Sequence, residues 1–162
     1  MTISSIMKRM IAYSEGNVGD IDHLIKVWGY AKTIGALEGL DEQTQFILEA
    51  AAITHDIACP LCRRKYGTTA GPLQEAEGAL LVADFLKDAG LTSEQLHRIC
   101  HLVGHHHTPS EIDGADYQIL IEADYLVNAC ENGYPPQEIR AFSQRFFKTK
   151  AGLDILRSIF TF

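Results

Sequence analysis

Basic residues are in the minority here: 14 Lys and Arg stand against 21 Asp and Glu, for a formal net charge of -7. Nonspecific nucleic-acid binding and adhesion to an anionic membrane both need a basic surface, so neither is expected, nor is sequence-specific nucleic-acid recognition. A local basic patch could still hold one phosphate. Cysteine is scarce too, and four in a chain of 162 residues do not build a disulfide framework, which makes a reducing cytoplasm the expected compartment. No apolar run approaches the length of a membrane span. Lys8 and Arg9 follow rather than precede the first apolar residues, so no secretory leader is expected in 1–16. Repeats, low-complexity tracts and linkers are missing, and no stretch alternates with period two. These exclusions leave one all-α domain over 1–162.

What is present fits that class. The hydrophobic share is 46% and the charged share 22%, a globular balance in a chain long enough for a real core. Ile3, Ile6, Met7, Met10 and Ile11 recur at helical spacing, which predicts a first helix to about Tyr13. Asp20 is the expected cap of a second, ending near Gly39. Asp41 opens a central helix whose apolar run ends in His55-Asp56. Residues 59–73 read as the longest irregular segment, and segments of that length are often functional. Helix returns near Gln74 and runs to Ala89-Gly90. Thr92 and Gln95 have the form of a capping box, and that helix finishes in Gly104-His105-His106-His107. Ile119 to Cys130, a stretch after Pro135-Pro136, and a short one around Leu153 to Ile159 complete a bundle of about six to eight helices.

Several polar residues fall on apolar stripes. His23 shares one with Val27, Ala31 and Ile34. His106 continues the stripe of Ile99, Leu102 and Val103, and Asp124 lies one turn from Leu120 and from Val127. The central helix brings His55 and Asp56 to the same interior. A buried charge is costly unless paired or bound to metal. Each of these residues alone could be a satisfied core side chain. Together, imidazoles and carboxylates on facing helices are how bundle cores build metal sites.

The order His23, then His55-Asp56 in Ile-Thr-His-Asp-Ile, then Asp124 in Glu-Ala-Asp-Tyr-Leu resembles the HD superfamily of metal-dependent phosphohydrolases. The likeness runs from about Asp22 to Asn128. Val27 and Ala31 after the first histidine support it, as does the Glu77-Gly78-Ala79 segment after the motif. It implies an HD-type helical bundle in which His23, His55, Asp56 and Asp124 ligate one divalent metal, of Mn, Fe, Co, Ni, Mg or Zn. Some relatives hold a second metal with two further histidines. Where they often carry the first of these, four residues before the helix glycine, this chain has Gln74 before Gly78. For the second, the stripe and the interval to Asp124 favour His106, with His105 as the alternate. The second site is therefore incomplete unless Glu75 or Glu77 supplies a ligand. His101 and His107 are read as surface residues or outer partners.

The implied chemistry is hydrolysis of a small phosphate ester, nucleotides among the candidates, by a metal-activated water. Asp56, Lys65 and Glu75 are the candidate catalytic residues, and Glu77 could position water or shuttle a proton. Arg63, Arg64, Lys65 and Lys26 are the candidate phosphate contacts. Two other readings remain open: a non-catalytic sensor of nucleotide or metal, and a di-iron oxygenase, which needs two occupied metals. The oligomeric state is left open. Cys59 and Cys62 form a CxxC pair without the βαβ context of a redox motif and without a second CxxC for zinc, so both are expected to be ordinary thiols. Trp28, Tyr30, Phe142, Phe146 and Phe147 are expected to pack rather than to stack on bases.

Overall fold

The computed structural model describes residues 1–161, and among them the chain forms nine helices and no strand. Helix α3 (Glu42–Thr54) is the axis of the molecule. Asp41 caps it, its carboxylate accepting from the backbone of Gln43 and Thr44, both at 3.0 Å. Every residue from Ile47 to Thr54 is buried. Side chains as small as Ala50, Ala51 and Ala52, wholly enclosed, let neighbouring helices approach from several directions at once. Helices α1 (Ile3–Tyr13), α2 (Val18–Glu38), α6 (Ser93–Val103) and α7 (Ala115–Asn132) all pack on α3.

Helix α2 also packs on α7, so the two faces that carry His23 and Asp124 meet beside the end of α3. Its N-cap is Asn17, whose side chain accepts from the Asp20 backbone. Asp20, expected as the cap, lies in the first turn instead, where a carboxylate still complements the helix dipole. The helix stops at Gly39, which takes a left-handed conformation (φ 74°) that costs glycine little. The capping box of Thr92 and Gln95 forms as the sequence predicts.

The stretch read as irregular is not. It contains α4 (Cys59–Tyr66), with Pro60 in its first turn and Gly67 closing it at φ 70°. Cys59 and Cys62 face inward and Arg63, Arg64 and Lys65 face outward. Helix α5 (Gly71–Leu86) then begins three residues before Gln74 and packs on α4 and α6. This added helix takes the count one beyond the expected range and leaves the all-α class unchanged.

Helices α8 (Pro136–Phe146) and α9 (Lys150–Ile159) close the far side. Glu122, wholly buried on α7, holds their connection. Its carboxylate accepts from the backbone N–H of Lys148 (2.7 Å) and Thr149 (3.0 Å), from the Thr149 hydroxyl and from the Gln118 amide. Among the described residues, no helix is long and apolar enough to cross a membrane.

Candidate metal centre

Helix α3 ends at Thr54, so His55 is its C-cap and Asp56 lies in the turn leading to α4. That turn aims both side chains at the seam between α2 and α7. His23 Nε2 is 3.1 Å from His55 Nε2 and 3.2 Å from Asp124 Oδ1. His55 Nε2 is 3.4 Å from Asp124 Oδ1, and Asp56 offers one oxygen to each histidine at 3.6 Å. Four donors, from α2, α7 and the turn that ends α3, therefore share one small volume.

The hydrogen bonds behind these rings show what that volume suits. His55 Nδ1 faces the Ala52 carbonyl at 2.8 Å, so it carries the proton, and His23 Nδ1 likewise donates to Glu131 Oε2 at 2.8 Å. A neutral imidazole with Nδ1 protonated presents a lone pair at Nε2. Two such lone pairs and two carboxylates then face one another with no donor between them, which is unfavourable without a cation. Ligands about 2.1 Å from a common ion and at right angles lie about 3 Å apart, and the observed separations are close to that. The residues fit a divalent metal.

Without one, the carboxylate excess recruits a proton. Burial opposes charging of His23, but the carboxylates of Asp124, Asp56 and Glu131 outweigh it and raise its pKa to about 9. Burial likewise opposes ionisation of Asp56 and Asp124. The facing histidines prevail, His55 and His106 for Asp56 and His23 and His55 for Asp124, and hold both below the ordinary carboxylate range.

A second group adjoins the first. His106 Nδ1 donates to the Val103 carbonyl at 2.8 Å, while its buried Nε2 lies 3.4 Å from Asp56 Oδ1 with no hydrogen-bond partner. Asp56, His106 and His107 are close enough to hold an ion together, and Asp56 belongs to both groups. The reading of His106 as the inward residue agrees with its placement. His105 turns away, its Nδ1 on the His101 carbonyl at 2.7 Å and its ring against His101. His107, read as a surface residue or outer partner, is indeed exposed, yet it stands close enough to Asp56 and His106 to share an ion, and desolvation and then His106 push its pKa down to about 4. Gln74 stands nearby but is occupied, accepting from the Cys59 thiol (3.3 Å) and donating to the Thr69 carbonyl (2.7 Å).

The remaining candidates divide. Arg63 and Lys26 line the cleft over the centre, each already paired: Arg63 with both Asp20 oxygens (2.8 and 2.5 Å), Lys26 with Glu131 (2.9 Å). Lys65 is not brought to the site, because α4 turns it outward onto Glu77 at 2.6 Å. Glu77 is thereby committed as well. Arg64 is exposed to solvent. Glu75 points to the loop after α6, accepting from the His107 backbone and the Thr108 hydroxyl, both at 2.9 Å. It braces the His107 segment from behind. Cys59 and Cys62 are free thiols, and burial pushes both up in pKa, which makes poor nucleophiles. Glu131 was invisible in the sequence; only the packing of α2 on α7 reveals it.

The cleft has two lobes that share Thr69, Gln74, His107, Asp124, Asn128 and Asn132. One, of about 390 Å³, holds His23, Asp56, Lys26 and Arg63. The other, of about 490 Å³, is walled by Pro109, Ile121, Tyr125, Tyr134 and Phe142. Phe142, expected only to pack, lies flat on Tyr125 with ring centroids 3.7 Å apart and also forms part of this wall.

The fold has a solved counterpart. A crystal structure of a predicted HD superfamily hydrolase from an uncultured Thermotogales bacterium superposes with a TM-score of 0.66 at 23% identity, over 96% of this chain and 82% of that one. No curated protein matches the chain. The profile of the HD domain matches residues 20–137, most of the chain and all of the first donor group. That match spans most of the chain, and this chain belongs to the HD domain family.

Proposed function

We propose that this chain is a metal-dependent phosphohydrolase that cleaves a phosphomonoester or phosphodiester of a small molecule. The convergence of His23 and His55 lone pairs with the Asp56 and Asp124 carboxylates, at the floor of an open cleft, is the observation that supports this best. A divalent ion of Mn, Fe, Co, Ni, Mg or Zn supplies Lewis acidity toward a phosphoryl oxygen and lowers the pKa of a bound water.

The chain's own groups do the rest. Asp56 is the most open of the four donors, at 28% side-chain exposure, and holds the attacking water in line by hydrogen bonding. Arg63 and Lys26 exchange part of their carboxylate contacts for phosphate oxygens and so orient the ester. Asn128 donates to Asp124 at 2.9 Å and Glu131 accepts from His23, and both contacts fix ligand orientation. The enclosed free thiols Cys59 and Cys62 suit a reducing cytoplasm.

Asp56, His106 and His107 support a second ion, which is also what a di-iron oxygenase requires. Metal analysis of protein purified without chelator separates one ion per chain from two. Phosphate release from a panel of nucleotides and phosphomonoesters, with Mn²⁺, Co²⁺ or Ni²⁺, separates hydrolase from sensor. Metal-dependent release from at least one ester is expected. Stoichiometric metal with no release under any condition would favour binding without turnover.

A further inference from the structure

Helix α6 ends at Val103, and residues 104–107 are turns rather than further helix. On a continuing helix, neighbouring side chains would point about 100° apart, since about 3.6 residues make one turn. Here His106 and His107 stand side by side with ring centroids 4.0 Å apart, and one nitrogen of each lies within 4.8 Å of an Asp56 oxygen. Two side chains from other helices hold the turn in this shape. The hydroxyl of Tyr117, a buried residue of α7, shares its proton between the carbonyls of His105 (2.6 Å) and Thr108 (2.7 Å). From α5, Glu75 Oε1 accepts from the His107 backbone N–H and from the Thr108 hydroxyl, both at 2.9 Å. The histidine pair is thus pinned at the residue before it, at its own second amide and at the residue after it.

What the turn holds in place is an unsatisfied atom. His106 Nε2 is buried without a hydrogen-bond partner, 3.4 Å from Asp56 Oδ1. Such an atom is costly, and it persists only where the surroundings keep it from finding a partner or where an ion completes it. The His107 ring is confined as well, because a methyl group on Gly71 would stand 2.9 Å from its Cγ. Gln74 is committed to Cys59 and Thr69. The turn must therefore supply two of the three donors of the second group, and small errors in its shape would open the site. Resting on the metal-dependent reading above, we infer that Glu75 and Tyr117 are positioning residues for a second divalent ion held by Asp56, His106 and His107. Both act through the backbone of the turn and not as ligands, and Glu75 holds an amide rather than moving a proton.

Calorimetric titration of the metal-stripped full chain with Mn²⁺ tests this. Two binding steps are expected, and the one that His106→Ala removes belongs to the second ion. Glu75→Ala should weaken that step about tenfold to a hundredfold while the other step stays within about twofold of its original affinity. Glu75→Gln keeps an acceptor oxygen for both donors and should restore the second ion. Tyr117→Phe deletes the hydroxyl alone and should weaken the second ion about tenfold, with an unchanged circular dichroism spectrum. A single ion in the unaltered chain, an indifferent Glu75→Ala or Tyr117→Phe, both ions weakened alike, or a Glu75→Gln as poor as Glu75→Ala would each overturn the inference. Phosphate release from an ester with one ion bound leaves the hydrolase reading standing and overturns this one. Two ions that respond as expected, without release from any ester, do the reverse.

Discussion

Glu131 holds the ring nitrogen of His23 that faces away from the other donors, its Oε2 2.8 Å from Nδ1. The same carboxylate takes Lys26 at 2.9 Å through its other oxygen. Burial opposes its ionisation, but His23 and Lys26 more than offset that and hold it below the usual glutamate range. A carboxylate behind a ligating imidazole fixes its tautomer and raises its basicity. Glu131→Gln keeps an acceptor but removes the charge. The expected result is about tenfold weaker Mn²⁺ binding by calorimetry with an unchanged circular dichroism spectrum. Unaltered affinity would mean that Glu131 serves Lys26 alone.

Metal must compete with protons at this centre. The pKa of His23 is raised to about 9 in the folded metal-free chain, so its charged form adds stability that is complete below about pH 6.5 and is lost as pH rises through 9. A metal displaces that proton. Mn²⁺ affinity is therefore expected to climb by about tenfold per pH unit for each proton released, up to about pH 9, and then to level off. Titration in two buffers of different ionisation heat counts the protons directly. A flat profile between pH 6.5 and 8.5 would contradict a His23 that is charged before the ion binds.

Asp56 belongs to both donor groups, whereas His106 belongs to one. Asp56→Ala should abolish metal retention, and with it the rise in unfolding midpoint that bound ligand confers, while helix content stays the same. His106→Ala should lower metal content only where a second ion binds. Intact stoichiometry in Asp56→Ala would refute the ligand assignment.

Far from the cleft, Gly152 on α9 leaves room for the buried Glu122 carboxylate. A methyl group there would stand 2.0 Å from Glu122 Oε2. Overpacking costs about 1–3 kcal/mol, and a displaced carboxylate would also lose its contacts to the backbone of Lys148 and Thr149. Gly152→Ala is expected to lower the unfolding free energy from urea titration by that amount, with an earlier midpoint and unchanged metal content.

The first donor group was readable from the sequence because His23 and Asp124 are polar positions on otherwise apolar stripes, and such positions are costly unless used. His106 was readable in the same way. Helix α4 was not, since eight residues are too few to show a period and Arg63-Arg64-Lys65 resembles a solvated turn. Once α4 forms, its rotation sends Lys65 to Glu77 and leaves Arg63 at the cleft, which proximity along the chain could not distinguish. Glu131 lies on the polar side of α7, where a carboxylate looks like ordinary solubilising charge. Its partner is 108 residues away, and only helix packing joins them. Glu75 and His107 exchanged expected positions for a similar reason, because the loop after α6 folds back over the start of α5.

The excess of carboxylates around the cleft also dictates a sequence of events. On the phosphohydrolase reading, an incoming phosphate would meet like charge until a cation had settled, so the ion would load first and the ester second. Product phosphate would then leave without carrying the ion away, because Glu131 and Asn128 hold His23 and Asp124 in position.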